Sequence, residues 1–239
     1  MKRIINSFLN RFDYKIEKKY TNKNKSEGYP SYLEAADKLN LDVNDYLNNN
    51  MGWLKPKPIL DEILFPLLES IPKPNILELG PGTGRWTRDI LEKAHQLKSK
   101  EYYLIDHAVW MIDFLSNYFK NETIVKVIKN DGLSLPVKNS FFDMAFSEGL
   151  FIELKPGNIY LYAKEFSRVL KPGGYCVFDY YNCENEEGWD FFVDQSNKKH
   201  TYFTFYPDHF IEKIFITSGF LFEKRVTYGN SNFIVFKKK

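Results

Sequence analysis

Three glycines at alternating positions lie where a short apolar run meets an amphipathic one. In "NILELGPGTGRWT", residues 75–87, they are Gly80, Gly82 and Gly84. Glycine has no Cβ, so the backbone at such a junction can approach a ligand closely. In open parallel sheets, the loop between the first strand and its helix is the usual ligand cradle. The pattern therefore predicts a nucleotide-like ligand at this loop.

The spacing of the glycines discriminates between ligands. A dinucleotide fingerprint is G-x-G-x-x-G, but here the third glycine comes one residue early and Arg85 stands at the position of the last one. The G-K-S/T ending of a Walker loop is also missing from the sequence. Both observations disfavour a nicotinamide dinucleotide and a phosphate-cradling loop. A glycine turn that serves packing alone is the remaining structural alternative.

The surrounding elements alternate between strand and helix. Strands are predicted at "ILEL", "YYLID", "TIVKVI", "FFDMAFS" and "YCVFDY", with amphipathic segments between them, and two closing strands meet at the hairpin signal Gly229-Asn230. Such alternation is typical of a parallel sheet covered on both faces. The predicted fold class is α/β: a Rossmann-like, doubly wound, mostly parallel seven-stranded sheet with a helical N-terminal extension.

The motifs together resemble class I S-adenosylmethionine-dependent methyltransferases. "ILELGPGTG" is similar to motif I of that family, "KNDGLSLP" to the stretch after the third strand, "FFDMAFSEGLF" to the fourth-strand motif and "EFSRVLKPGGYCVF" to the following helix, turn and strand. The resemblance covers about residues 53–236. It implies a methyltransferase with S-adenosyl-L-methionine as cofactor. The residue pattern itself predicts a helical extension at 1–70, ahead of a methyltransferase domain at 71–239 with an irregular polar insert at 182–206.

The resemblance also implies roles for individual residues. Asp106 is expected to accept hydrogen bonds from the ribose hydroxyls, since a carboxylate can take two donors, and Asp131 to hold the exocyclic amine of adenine. Asp106 could instead cap the following helix. Glu78 is expected to anchor the glycine loop or to reach the amino group of the cofactor. The complete predicted cofactor site is Glu78, Gly80, Pro81, Gly82, Gly84, Asp106, His107, Asp131, Gly132, Ser147 and Glu148.

Methyl transfer is a direct displacement at the sulfonium carbon. Alignment supplies most of the rate, and a base need only remove a proton from the acceptor. Glu148, just after the fourth strand, is the first candidate base, followed by Asp179 and His200. No metal site is predicted, because the sequence singles out no set of oxygen ligands that would accompany Asp179.

Composition limits the alternatives. The 239 residues are 44% apolar and 17% aromatic, which is enough for a full hydrophobic core. The net charge is only +2, whereas a dedicated nucleic-acid binder is expected to be strongly basic. Cys176 and Cys183 form no Cys-x-x-Cys pair, so neither a disulfide framework nor a zinc site is indicated. No apolar run approaches the roughly 18 residues that span a bilayer. We expect a cytoplasmic protein.

Residues 1–20 have apolar residues at helical spacing and lysines and arginines mostly on the other face. Such a helix could lie on an anionic membrane surface, dock on its own domain or pair with a second copy in a homodimer. The segment also resembles the beginning of bacterial enzymes of surface-polysaccharide assembly. We therefore expect a small-molecule or glycan acceptor, first of all a sugar hydroxyl.

Aromatic side chains in or near the insert are candidates for the wall of the acceptor pocket: Tyr180, Tyr181, Tyr202, Phe203 and Phe205. Three other interpretations stay open. They are an RNA or protein methyltransferase, a binding module that keeps the fold without catalysis, and a nicotinamide reductase.

Overall fold

The computed structural model describes residues 29–198 and 202–239. The chain forms two compact units, residues 1–54 and residues 55–239. The predicted basic helix at 1–20 and His200 lie outside the described residues.

From residue 29 onward, the first unit contains the helices α1 (Tyr29–Lys38) and α2 (Val43–Asn50). Asp42 caps α2, because its side chain accepts hydrogen bonds from the amides of Asn44 and Asp45 at 2.9 and 3.3 Å. The rings of Tyr32 and Trp53 meet edge to face with their centroids 5.6 Å apart.

The second unit begins with a helical segment that changes pitch. Its parts are α3 (Pro56–Ile59), a π-helical turn (Leu60–Leu64) and α4 (Phe65–Glu69). Pro66 has no N–H to donate to the carbonyl of Glu62, four residues earlier. That carbonyl oxygen accepts a hydrogen bond from Lys224 Nζ at 3.2 Å instead. A residue near the C-terminus thus ties this segment to the sheet.

The sheet has strands of the following bounds: β1 (Ile76–Leu79), β2 (Tyr102–Asp106), β3 (Val125–Lys129), β4 (Phe142–Ser147), β5 (Leu170–Asn182), β6 (Phe205–Tyr206), β7 (Phe220–Tyr228) and β8 (Ser231–Lys238). Their order is β3-β2-β1-β4-β5-β8-β7, with the short β6 paired to β5. β1 to β5 are parallel, and β8 is antiparallel to both β5 and β7. The predicted α/β, doubly wound and mostly parallel fold is confirmed.

The helices that follow the strands are α5 (Arg85–Gln96), α6 (Val109–Tyr118), α7 (Pro156–Val169), α8 (Glu186–Ser196) and α9 (Asp208–Thr217). A row of buried rings packs behind β4 and β5. Phe151 stacks on Phe178 at 4.2 Å, Phe178 on Phe215 at 4.7 Å, and Phe215 on Phe236 at 4.7 Å between centroids. The stacked rings tie the turn after β4 to β5, α9 and β8.

The expectation of an irregular insert at 182–206 is wrong in one respect, because the insert contains α8 and β6. Asn185 caps α8 by accepting a hydrogen bond from the Gly188 amide at 2.7 Å, and Glu186 and Glu187 suit its first turn. Because glycine is a poor helix former, Gly188 makes this segment look like a loop in the sequence. A Cβ there would lie 2.3 Å from the carbonyl oxygen of Asn182, so the close approach requires glycine.

The strand order reverses between β1 and β4. In open α/β sheets the crevice at such a reversal is the usual ligand site. The loops after β1 and β4 therefore border the candidate site. None of the helices in the described part of the chain is long and apolar enough to cross a membrane.

Candidate active site

The glycine loop connects β1 to α5 as a tight turn. The Gly80 amide donates to the carbonyl oxygen of Ile105 at 2.8 Å, and the Gly84 amide donates to that of Pro81 at 2.9 Å. Gly80, Gly82 and Gly84 have φ of 70°, 56° and 80°, a region that side-chain-bearing residues rarely adopt. A Cβ at Gly84 would lie 2.6 Å from the ring of Phe119. The motif is thus required by backbone shape and by close packing under the loop.

Glu78 lies within β1 and is almost completely buried. Its Oε2 accepts hydrogen bonds from Thr87 Oγ1 at 2.9 Å and from the Tyr102 hydroxyl. Burial raises the pKa of Glu78 to about 7, against the opposing effect of these two hydrogen bonds. The side chain anchors β1 to α5 and β2, and its contact with a cofactor amino group stays a prediction.

Asp106 ends β2 and is buried beside the loop. Its Oδ1 accepts a hydrogen bond from the Ala108 amide at 2.8 Å, and burial raises its pKa. The carboxylate thus shapes the turn before α6, but the capping alternative is wrong, because the N-cap residue of α6 is Ala108, which makes no side-chain cap hydrogen bond. Since a carboxylate offers about four acceptor positions, this contact is compatible with two ribose hydroxyls as well. The ring of His107 is largely exposed, with Nδ1 3.6 Å from Asp106 Oδ1.

Asp131 follows β3 and is exposed. Its carboxylate accepts hydrogen bonds from the amides of Ser134 and Leu133 at 2.7 and 2.9 Å and from the Ser134 hydroxyl at 2.9 Å, and these bonds lower its pKa. Gly132 beside it has a φ of 85°. Asp131 therefore shapes its own turn, and the predicted contact with adenine stays a prediction.

Ser147 ends β4 and is fully buried. Its hydroxyl donates to the carbonyl oxygen of Leu79 at 2.8 Å, so the side chain holds β4 against β1 directly below the glycine loop. The predicted cofactor contact of Ser147 would have to come in addition to this bond.

Glu148 stands on the turn after β4, and 19% of its side chain is exposed. Its Oε1 lies 3.7 Å from Arg85 Nη2. Burial raises the pKa of Glu148 to about 8, and the charge of Asp179 adds to this effect, whereas Arg85 and the Trp86 indole N–H oppose it. Glu148 is therefore a carboxyl group that can hold or release a proton near neutral pH.

Asp179 lies near the end of β5 and is 1% exposed. Its Oδ1 accepts a hydrogen bond from the Gly149 amide at 2.7 Å, and its Oδ2 accepts one from the Ser231 hydroxyl at 3.1 Å. Burial raises the pKa of Asp179 to about 6. The structure thus brings together two of the three candidate bases.

Sequence reasoning missed Arg85 and Ser231. Arg85 is the buried first residue of α5, with its guanidinium 5.5 Å from the ring of Trp86. A charged residue directly after the third glycine was the available signal. Ser231 carried no signal, because only the register of β8 on β5 brings it to Asp179. Trp86 itself is core, packed on Phe146 and Phe233.

The predicted aromatic wall is assembled in part. The ring of Tyr181 packs against Phe191, Phe203 and Phe205, with centroids 5.0, 5.1 and 5.6 Å away. Tyr180 is turned to the Asp208 carboxylate, and Tyr202 is exposed. The four packed rings, Tyr181, Phe191, Phe203 and Phe205, are called the insert ring cluster below.

His209, a further histidine near the insert, is exposed, with Nδ1 3.0 Å from Glu184 Oε1. Among residues 29–198 and 202–239, no group of three or more His, Cys, Asp or Glu side chains is arranged to hold a metal ion.

The charges beside the glycine loop discriminate between cofactors. Glu78, Asp106 and Glu148 are acidic and largely buried. A pyrophosphate would be repelled by the ionised forms of these carboxyl groups, whereas S-adenosylmethionine has no phosphate and carries a sulfonium and an ammonium, which those forms attract. The residues present therefore fit S-adenosylmethionine better than a dinucleotide.

Comparison with known sequences finds a match to the segment that contains the glycine loop. Residues 76–174 match the family model described as "Methyltransferase domain". The chain is 28% identical over 160 residues to phosphoethanolamine N-methyltransferase 1 of Arabidopsis thaliana, covering 66% of this chain and 29% of that protein. It is 25% identical over 158 residues to phosphoethanolamine N-methyltransferase 3 of the same plant, with the same coverage. The chain thus spans less than a third of the length of these relatives.

Comparison with solved structures concerns the fold. A SAM-dependent methyltransferase from Aquifex aeolicus superimposes with a TM-score of 0.60 at 20% identity, over 81% of this chain and 95% of that one. Residues 76–174 thus match a methyltransferase domain, and the chain shares the fold of a solved SAM-dependent methyltransferase, which agrees with S-adenosylmethionine as the cofactor.

Proposed function

We propose that the protein transfers a methyl group from S-adenosyl-L-methionine to a hydroxyl group of a small molecule or glycan, with a sugar of polysaccharide biosynthesis as the acceptor. The observation that carries the proposal is the position of Glu148, a partly exposed carboxyl group on the turn after β4, at the crevice between β1 and β4 and 3.7 Å from Arg85 Nη2. Burial raises its pKa to about 8, so the group titrates near neutral pH and its ionised form can accept a proton there.

The bound cofactor would supply an electrophilic methyl group. The protein supplies binding and alignment. The glycine loop admits the homocysteine part at the backbone, and Asp106 holds the ribose from the end of β2. Glu148, on the neighbouring strand end, takes the proton from the acceptor hydroxyl as the oxygen attacks. Arg85, 3.7 Å from Glu148, favours the ionised form that this step requires.

The insert ring cluster supports a sugar as acceptor. Tyr181 belongs to this cluster and also lies near the acids. Burial raises the pKa of its hydroxyl, and the charges of Asp179 and Glu148 raise it further. Apolar ring surfaces next to carboxylates suit a sugar, whose C–H faces pack on rings and whose hydroxyls donate to carboxylates.

An amine acceptor is the second candidate. The acceptor side has two buried carboxylates, Glu148 and Asp179, which would attract an ammonium group. The two plant relatives are named for the methylation of phosphoethanolamine, an amine. An RNA or protein acceptor receives less support, because the net charge of the chain is only +2.

The test is a screen with methyl-labelled S-adenosylmethionine. The acceptors are nucleotide-sugars and short glycans in one set, and ethanolamine and phosphoethanolamine in the other. We expect labelled product from the sugar set in the wild-type protein and at least a hundredfold less from Glu148→Gln. Product from the amine set alone would replace the sugar proposal by the amine one.

Calorimetry with S-adenosylmethionine, its demethylated product and NAD separates catalysis from binding. We expect the first two to bind and NAD to fail. Cofactor binding without product from either set would favour a binding module.

We further propose a cytoplasmic location, a membrane contact of residues 1–20 and a homodimer. Vesicle sedimentation would test the membrane contact, and size-exclusion chromatography would test the homodimer.

A further inference from the structure

Asp179 is held at both carboxylate oxygens by residues from other segments. The Gly149 amide, on the turn after β4, donates to Oδ1 at 2.7 Å, and the Ser231 hydroxyl donates to Oδ2 at 3.1 Å. Ser231 reaches this position because β8 runs antiparallel to β5 and pairs Ser231 with Tyr181. With 1% of its surface exposed, Asp179 is a fixed internal group.

The bond to Gly149 acts directly on Glu148. The amide that donates belongs to the peptide group joining Glu148 to Gly149, so fixing it fixes the backbone from which the Glu148 side chain extends. Gly149 has a φ of 76°, a conformation that glycine adopts without strain but does not prefer over others, so contacts with other segments select it. Asp179 provides one of those contacts.

Several charged and titratable groups face this pair. Glu148 interacts electrostatically with Arg85 from α5, with Glu78 from β1 and with Asp179 from β5, and the Trp86 indole N–H faces it from α5. Tyr181 from β5 interacts with Asp179, Glu148 and Glu153. Two neighbouring carboxylates in such surroundings do not ionise independently, since the charge of one opposes the charge of the other.

We propose that Asp179 is a positioning residue: through its hydrogen bond to the Gly149 amide it holds the Glu148–Gly149 peptide in place, and as a second carboxylate beside Glu148 it couples the proton binding of the two groups. Glu148 is then the partner that exchanges a proton with an acceptor, because it is the more exposed of the two. Proton exchange with an acceptor rests on the proposed function, whereas the coupling of Asp179 to Glu148 does not.

The test is a titration of the full-length protein labelled with ¹³C at its carboxyl groups, followed by NMR. Glu148→Gln and Asp179→Asn assign the two signals. We expect two coupled steps in the wild-type protein. Asp179→Asn keeps an oxygen for the Gly149 amide but removes the charge, and should lower the pKa of Glu148 by about one pH unit. Asp194→Asn, on exposed α8, is the matched control and should change neither step. An unchanged Glu148 titration in Asp179→Asn would overturn the coupling of the two groups.

Hydrogen exchange at the Gly149 amide tests the positioning. We expect Asp179→Ala to accelerate this exchange at least tenfold and Asp179→Asn to preserve the protection. Equal protection in both variants would overturn the positioning role.

Ser231→Ala is the milder variant should Asp179→Ala not fold. It should raise the lower of the two titration steps, because the ionised Asp179 loses a hydrogen-bond donor, and no movement of that step would count against the arrangement. Coupled titration in a protein that methylates no acceptor would refute the proposed function and leave this inference standing.

Discussion

The two sides of the crevice are built differently. On the side of β1 to β3, the glycine loop, Asp106 and Asp131 each follow a strand, and their described contacts are largely local: Asp106 bonds Ala108, and Asp131 bonds Leu133 and Ser134. On the side of β4, β5 and β8, the acids are held by residues from distant segments: Gly149 and Ser231 bind Asp179, and Arg85 faces Glu148.

The difference teaches how the two sides tolerate change. A locally built turn carries its own signal in the sequence and loses one contact when one residue is replaced. An assembled acid pair depends on the register of three strands and on the coupling of charges, so replacing one residue changes its neighbours too. We therefore expect substitutions on the β4–β5 side to affect catalysis and proton binding, and those on the β1–β3 side to affect cofactor affinity and loop stability.

The largest effect is expected at Glu148. Glu148→Gln removes the base and should lower kcat by about 100- to 1,000-fold, while the dissociation constant of S-adenosylhomocysteine changes less than threefold. Turnover with the acceptor from the screen and calorimetry measure the two quantities. Glu153→Gln, five residues further along, is the control and should retain turnover. A parallel loss of affinity in Glu148→Gln would erase the distinction between the two sides.

Glu78 lies at the junction of both sides and should make stability depend on pH. Its pKa is raised from 4.5 to about 7 by burial, so between these values the folded protein holds a proton that the unfolded chain has released. The free energy of unfolding should therefore decrease as the pH rises through this interval, by about 3 kcal/mol for this group between pH 4.5 and 8.

Urea unfolding of the wild type and Glu78→Gln at several pH values measures this contribution. The glutamine can still accept from Thr87 and Tyr102 but does not titrate, so the variant should lack this part of the pH dependence. Superimposable pH profiles of the two proteins would mean that Glu78 has an ordinary pKa in the folded state.

The sequence identified the locally built side better than the assembled one. The strand ends at Leu79 and Asp106 and the glycine loop between them follow from periodicity and from residue types that require a turn. The sequence did not predict helix α8, because a glycine at position 188, in the first turn, is more typical of a loop. Glycine is required there for another reason: the Asn182 carbonyl oxygen leaves no room for a Cβ. Ser231 could not be found, since its role depends on the register between β8 and β5.

Gly84 distinguishes local backbone strain from packing within the glycine loop. Gly84→Ala places a Cβ 2.6 Å from the Phe119 ring at a φ of 80°, and should lower the free energy of unfolding by about 3 kcal/mol. Gly173 has nearly the same φ, 79°, but open space around its Cβ position, so Gly173→Ala should cost only about 1 kcal/mol. Denaturant unfolding of both variants measures the difference. Equal losses would show that the backbone conformation alone demands glycine at Gly84.

The smallest effect is expected at Asp106, where one carboxylate shapes a turn and is proposed to bind the ribose. Asp106→Ala should weaken S-adenosylhomocysteine binding by more than tenfold, about 1.4 kcal/mol, because buried donors on the ligand lose their acceptor. Calorimetry measures the change, with the exposed Asp61→Ala as a control that should bind normally. Because the Ala108 amide also loses its partner, the free energy of unfolding without ligand has to be measured as well. A loss of stability with unchanged affinity would make Asp106 a residue that only shapes the turn before α6, and the cofactor would then be held by the glycine loop without it.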